Sequence, residues 1–135
     1  MLRLDRLSYQ QMIGHAYDGL PDEACGLMAG TSVLDRVEKF YATRNAAESS
    51  RVYTVDPNEH LRADRDAEDH GIEILGVMHS HTHTEAYPSP TDVNQAPDPT
   101  WHYVIVSLKR EAPVLRSYRI VDGTITEEPV VVEER

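Results

Sequence analysis

Apolar positions along the chain recur with two different periods, and each period marks one kind of element. Tyr9, Met12, Ile13, Ala16 and Tyr17 fall three and four residues apart, so residues 4–17 read as a helix with one apolar face, stopped by Gly19 and Pro21. Residues 24–29 are a short apolar run closed by Gly30, the pattern of a buried strand. Over 34–42 the pattern changes to alternation. Leu34, Arg36 and Glu38 take one parity and Val33, Val37 and Tyr41 mostly the other, which predicts a half-exposed strand. Residues 51–55 are a further short strand candidate. Asp56-Pro57 is a helix start, a carboxylate cap followed by proline in the first turn, and 58–70 continue it as a polar surface helix. Residues 72–79 and 101–108 are apolar and rich in β-branched side chains, as central strands are. Residues 115–121, the pair Asp122-Gly123 and residues 124–127 read as a β-hairpin, and 129–133 as an edge strand. Helices mixed with crossover-connected and hairpin-connected strands predict an α/β sandwich with a mixed sheet.

No repeat, low-complexity tract or Gly/Ser linker breaks this pattern, so residues 1–135 read as a single domain. Apolar residues make up 40% and charged residues 27%, the balance of a folded domain rather than a disordered one. The formal net charge of −10 argues against a nucleic-acid partner, because phosphate backbones are bound by Lys and Arg. No apolar run approaches the ~20 residues of a membrane span, and the first residues carry no signal-peptide core. The lone cysteine, Cys25, has no partner for an internal disulfide. These features point to a cytoplasmic protein that does not engage a membrane.

Histidine changes the picture. There are seven, and three of them stand at 79, 81 and 83, where the apolar 72–79 strand ends. Residues two apart in a strand point to the same side, so His79 and His81 project together. Two imidazoles so placed can bind one Zn²⁺ at ~2.0–2.1 Å each. Asp92 follows across a proline-containing loop, where Thr91-Asp92 looks like the start of a short helix through Gln95. Three protein ligands with a fourth position left for water is the arrangement of a catalytic zinc site. An isolated His-x-His is ordinary in soluble proteins; its place at a strand end, with a downstream Asp, is what favours metal. The histidines are two apart on a strand, which excludes the helical His-Glu-x-x-His pattern. Cys25 reads as a buried core residue, and His83 as facing solvent or substrate. Taken alone, Glu23 reads as an exposed loop carboxylate and Ser89 as a turn residue between two prolines.

These residues resemble the JAMM (MPN+) metalloproteases, whose pattern is a distant glutamate, then His-Ser/Thr-His, seven residues, Ser, two residues, Asp. Here His79-Ser80-His81 is followed by seven residues, then Ser89, two more and Asp92. Pro21-Asp22-Glu23-Ala24-Cys25-Gly26-Leu27 is similar to the family's glutamate segment. The resemblance covers most of the chain, and implies a cytidine-deaminase-like α/β sandwich. It implies one zinc per chain on His79, His81 and Asp92, with Glu23 as general base and acid. Ser89 would help hold the tetrahedral oxyanion. The chain departs from many members in having Thr82, not proline, after the second histidine. The resulting Thr82-to-Ser89 variant, the short chain and residues 117–123 resemble an actinobacterial branch of the family. That branch hydrolyses the amide between the C-terminal glycine of a ubiquitin-like sulfur carrier (CysO-, ThiS- or MoaD-like) and an attached cysteine, a step of cysteine biosynthesis. Two other functions fit less closely: an isopeptidase or tail-processing protease for a ubiquitin-like protein, and a metal-free MPN scaffold. A homodimer is compatible with any of the three.

Overall fold

The computed structural model describes residues 1–134. Among these the chain forms, in order, β1 (Leu2–Asp5), α1 (Arg6–Asp18), β2 (Cys25–Thr31), β3 (Arg36–Thr43), α2 (Pro57–Asp69), β4 (Glu73–His81), α3 (Pro90–Asn94), β5 (His102–Ser107), β6 (Val114–Val121), β7 (Thr124–Glu128) and β8 (Val130–Glu133). All eight strands join one sheet in the order β7-β6-β5-β4-β2-β3-β1-β8. β4 and β5 run parallel, as does β1 with β3 and with β8; the other pairs are antiparallel. The α/β sandwich with a mixed sheet is therefore present.

Alternation along the strands divides the core into two layers. Met78, Val104 and Val106 face one side with Leu2, Leu4 and Phe40, covered by Met12 and Ala16 of α1. Val77, Tyr103 and Ile105 face the other with Leu27, Tyr118 and Ile120, against Ala63 of α2. α2 is polar as expected and buries only Ala63 and Ala67; its cap is the Asp56 carboxylate, which accepts from the N–H groups of Asn58 and Glu59. The hairpin turn has Asp122 at φ 50° and Gly123 at φ 77°, the paired positive values that a two-residue hairpin turn requires.

Five expectations need correction. Leu2–Asp5 is a strand, and α1 begins at Arg6, because the Asp5 side chain caps it by accepting from the Ser8 N–H. Tyr17 points away from the core, and Ser8 joins Met12 and Ala16 on the buried stripe. β3 does not keep strict parity: its pairing with β2 slips between Ala29 and Gly30, opposite Lys39 and Val37. The bulge leaves Glu38 unopposed and puts Val37 and Phe40, three apart, in the same layer. Residues 51–55 form no strand; Val55 makes one isolated bridge to Asn45. Trp101 lies just outside β5 and is only partly buried, beside an apolar cleft.

Gly76 of β4 lies opposite His102 in the parallel pair. A Cβ there would sit 2.0 Å from the His102 carbonyl oxygen, which is backbone and cannot swing away. Gly76→Ala should cost roughly 1–3 kcal/mol, the usual range for overpacking. A thermal unfolding midpoint within a degree of wild type would contradict this close approach.

Candidate active site

β4 continues through His81, so the alternation of the strand includes both histidines and carries them onto the α2 side of the sheet. Ser80, between them, points to the opposite side. Its Oγ accepts the Ala24 N–H at 2.7 Å, and its own N–H donates to the Ala24 carbonyl at 2.9 Å. This clamp, with Cys25 registered opposite His79, sets the start of β2, and Glu23 just before it, beside the end of β4.

Asp92 arrives by a different device. Ser89 is the N-cap of α3 and Asp92 its third residue, with Pro90 in the first turn. The Ser89 Oγ accepts the Asp92 N–H at 3.0 Å, and Asp92 Oδ2 accepts the Ser89 N–H at 2.8 Å. The Ser-x-x-Asp spacing is thus a capping box that fixes the carboxylate. The preceding loop is tied to the sheet by Ser107 Oγ donating to the Thr84 carbonyl and by the Tyr118 hydroxyl donating to the Ala86 carbonyl.

His79, His81 and Asp92 meet in the interior, at 1%, 3% and 8% exposure. His79 Nε2 lies 3.1 Å from His81 Nε2 and 3.1 Å from Asp92 Oδ2, and His81 Nε2 lies 3.0 Å from the same oxygen. His81 Nδ1 stands 2.8 Å from the Glu85 carbonyl, which can only accept, so Nδ1 carries the hydrogen and Nε2 of the neutral ring offers a lone pair. A proton on His79 Nε2 could serve one of the two facing atoms at a time; a cation serves all three. Ligands 2.0–2.1 Å from a tetrahedral zinc stand about 3.3 Å apart, close to the spacing here. The donor set fits a metal ion. Tyr53 stacks on His79, with ring centroids 4.3 Å apart, and closes one side.

The electrostatics follow from burial and these contacts. Burial lowers the proton affinity of His79. It acts the same way on His81, where contact with Asp92 and the Glu85 carbonyl outweighs it and the net shift is upward. For Asp92 burial works upward, but hydrogen bonds from His79 and His81 hold the carboxyl well below its usual range. Glu23 is 5% exposed, and its Oε1 has no hydrogen-bond partner among the described residues. Burial pushes its pKa up to about 8, with His81 opposing and Asp92 adding to the shift. Glu23, His81 and Ser89 line one cavity of about 550 Å³, with Thr82, His83 and Arg51 around it. Glu23 is therefore a buried site carboxylate, unlike the exposed loop residue that its local sequence suggests.

This chain matches the model of prokaryotic homologs of the JAB domain over residues 7–121. It belongs to that family. It is therefore a metalloprotease of the JAMM type. It is 48% identical over 125 residues to the CysO-cysteine peptidase of Mycobacterium tuberculosis, covering 92% of this chain and 86% of the relative. It is 34% identical over 101 residues to the desampylase of Haloferax volcanii, covering 71% and 73%. A Desulfitobacterium hafniense protein solved in solution superposes with a TM-score of 0.92 at 36% identity, covering 100% of this chain and 94% of the other.

Cys25 is fully buried, and burial pushes its thiol up to about 11, so it lies in the core and is not a nucleophile. His83 is exposed and takes no part in the triad. Two contributors carry no signal in the linear pattern. Asn45 is buried, and its amide donates to the carbonyls of Glu23 at 2.9 Å and Val52 at 3.0 Å while its oxygen accepts the N–H groups of Ala47 and Thr54. It holds the 45–54 loop against Glu23. Tyr53 is placed on His79 by that loop. Among the described residues no helix is long and apolar enough to cross a membrane.

In metal-stripped protein the raised Glu23 pKa has a readable consequence. The folded chain holds a proton on Glu23 between pH ~4.5 and ~8 that the unfolded chain releases, so this contribution to stability is full below that window and is lost as pH rises through it. Denaturant midpoints of chelator-treated wild type, relative to Glu23→Gln, should fall across this range. A wild-type-minus-variant difference that is flat from pH 5 to 8 would show that Glu23 titrates normally.

Proposed function

We propose that the chain is a zinc peptidase that hydrolyses the amide between the C-terminal glycine of a ubiquitin-like sulfur carrier and an attached cysteine, releasing free cysteine. The observation that carries the chemistry is the convergence of His79, His81 and Asp92 beside a buried, unpartnered Glu23 in one cavity. The substrate rests on the 48% identity to a CysO-cysteine peptidase over 92% of the chain. In this reading residues 1–135 act as one domain with one zinc per chain. The buried, unpaired Cys25 suits a reducing cytoplasm.

His79 and His81 would hold the zinc through Nε2 and Asp92 through its carboxylate. Zinc bound there supplies a water acidified to a pKa of roughly 7. Glu23 takes the proton from the attacking water and returns it to the leaving amine. Its raised proton affinity suits the second task, and the neighbouring cation favours the ionised form that the first requires. The Ser89 Oγ already accepts the Asp92 N–H, which leaves its hydroxyl hydrogen to donate to the carbonyl oxygen as charge develops there. The same side chain thus caps α3 and faces the reaction.

The desampylase relative supports a second reading, an isopeptidase that removes a ubiquitin-like protein from another protein. The two differ in product. Purified zinc-loaded enzyme mixed with a cysteinyl carrier should release a carrier lighter by one cysteine residue on intact-mass analysis. Cleavage of a lysine-linked conjugate, with the cysteinyl carrier left intact, would establish the second reading.

Glu23→Gln should lower kcat by ~10²–10⁴-fold and leave bound zinc unchanged. His81→Ala should lose most of the metal, and His83→Ala should keep it. Wild-type turnover by Glu23→Gln, or metal loss in His83→Ala, would refute the assigned roles.

A further inference from the structure

The cavity beside the triad is lined by a basic residue that the chemistry above does not use. Arg51 lines it together with Glu23 and His81. Among the described residues the Arg51 guanidinium has no ion-pair or hydrogen-bond partner, whereas Arg44, Arg110 and Arg116 are all paired with carboxylates. The backbone that carries this side chain is fixed by its neighbours. The Glu23 N–H donates to the Ser49 carbonyl at 2.8 Å, and the Arg51 N–H donates to Ser49 Oγ at 3.1 Å. Asn45 ties the Glu23 and Val52 carbonyls together, and the Thr82 hydroxyl, next to His81, donates to the Ser50 carbonyl at 3.2 Å. The Arg51 backbone is thus held in a segment pinned to both the proposed acid–base residue and the β4 strand, and its side chain is free to reach a ligand in the cavity.

The direction of the reaction says what this cation meets. The scissile nitrogen must face Glu23 to receive its proton, so the leaving residue lies on the Glu23 side, in the cavity that Arg51 lines. In a carrier ending in one α-linked amino acid, the group one carbon beyond that nitrogen is a free carboxylate. In a lysine-linked conjugate the same place holds an uncharged alkyl chain. The chain carries 23 acidic against 13 basic side chains, so its general field repels a substrate carboxylate, and binding one needs a local cation. Guanidinium matches carboxylate geometrically through two parallel N–H donors.

We propose that Arg51 binds the free α-carboxylate of the leaving residue and so restricts this peptidase to carriers that end in a single α-linked amino acid. The inference rests on the peptidase reading and adds the chemistry that distinguishes a terminal residue from an isopeptide. The test compares kcat/KM on two carrier adducts, one ending in Gly-Cys with a free carboxylate and one ending in the Gly-Cys carboxamide, for wild type and Arg51→Gln. Arg51 is exposed, so the variant should match wild type in melting temperature and zinc content. Wild type should prefer the carboxylate by about 10–100-fold, the range for a charge-assisted hydrogen bond. Arg51→Gln should lose that factor on the carboxylate and change little on the carboxamide, and Arg51→Lys should recover part of it. Equal losses on both adducts, or no wild-type preference, would overturn the assignment of Arg51. Cleavage of neither adduct by zinc-loaded wild type would overturn the peptidase reading, and this inference with it.

Discussion

Three electron-pair donors, two imidazole nitrogens and a carboxylate oxygen, stand within 3.1 Å of one another in the protein interior. Groups of this kind repel when they are unprotonated, and burial removes the water that would otherwise separate them. A single proton cannot satisfy the set, and a divalent cation can. Each of the three is brought in by structure elsewhere that has its own reason to form. The β4 strand places His79 and His81 because it is a central apolar strand between β2 and β5. The capping box of α3 places Asp92 because a helix start leaves N–H groups that need acceptors. The repulsive cluster is therefore assembled by the rest of the fold, and a metal bound there would relieve it.

The same logic extends to Glu23, the proposed acid–base group. A carboxylate buried without a hydrogen-bond partner for Oε1 is destabilised, and Glu23 stays there because its backbone is tied down on both sides. Ser80 holds Ala24, the Ser49 carbonyl accepts the Glu23 N–H, and Asn45 donates to the Glu23 carbonyl. Such strain at a functional group is borne by contacts that are themselves well satisfied. Without a metal, that burial raises its pKa to about 8, so Glu23 holds a proton more readily than an exposed carboxylate, as the proposed return of a proton to the leaving amine requires.

Much of this was legible in the linear pattern where one physical rule acts alone. The His79–His81 pairing follows from strand alternation, and the α2 start follows from Asp56-Pro57. The hairpin follows from Asp122-Gly123. The pattern misled where two rules compete. Leu2 and Leu4 alternate over only four residues and merge with the helix that follows, because the Asp5 cap is not followed by proline as Asp56 is. The bulge in β3 breaks parity through its partner strand, which its own residues do not reveal. Residues 51–55 have strand-like composition, yet several of their backbone groups bind Asn45 or Ser49 instead of a neighbouring strand. Glu23 needed the family pattern: its burial depends on contacts with Ser49 and Asn45, which lie more than twenty residues away and have no periodicity. Arg51 gave no signal at all until the loop carrying it was seen against the triad.

In this reading the fold itself builds a metal site from these three donors. A crystal of the zinc-loaded protein, with anomalous scattering recorded on both sides of the zinc edge, tests it most directly. One anomalous peak per chain is expected, about 2.0–2.2 Å from Nε2 of His79, Nε2 of His81 and a carboxylate oxygen of Asp92, with a fourth position left to solvent. A peak coordinated by His83 in place of one of these, or no peak at the triad in zinc-saturated crystals, would contradict it.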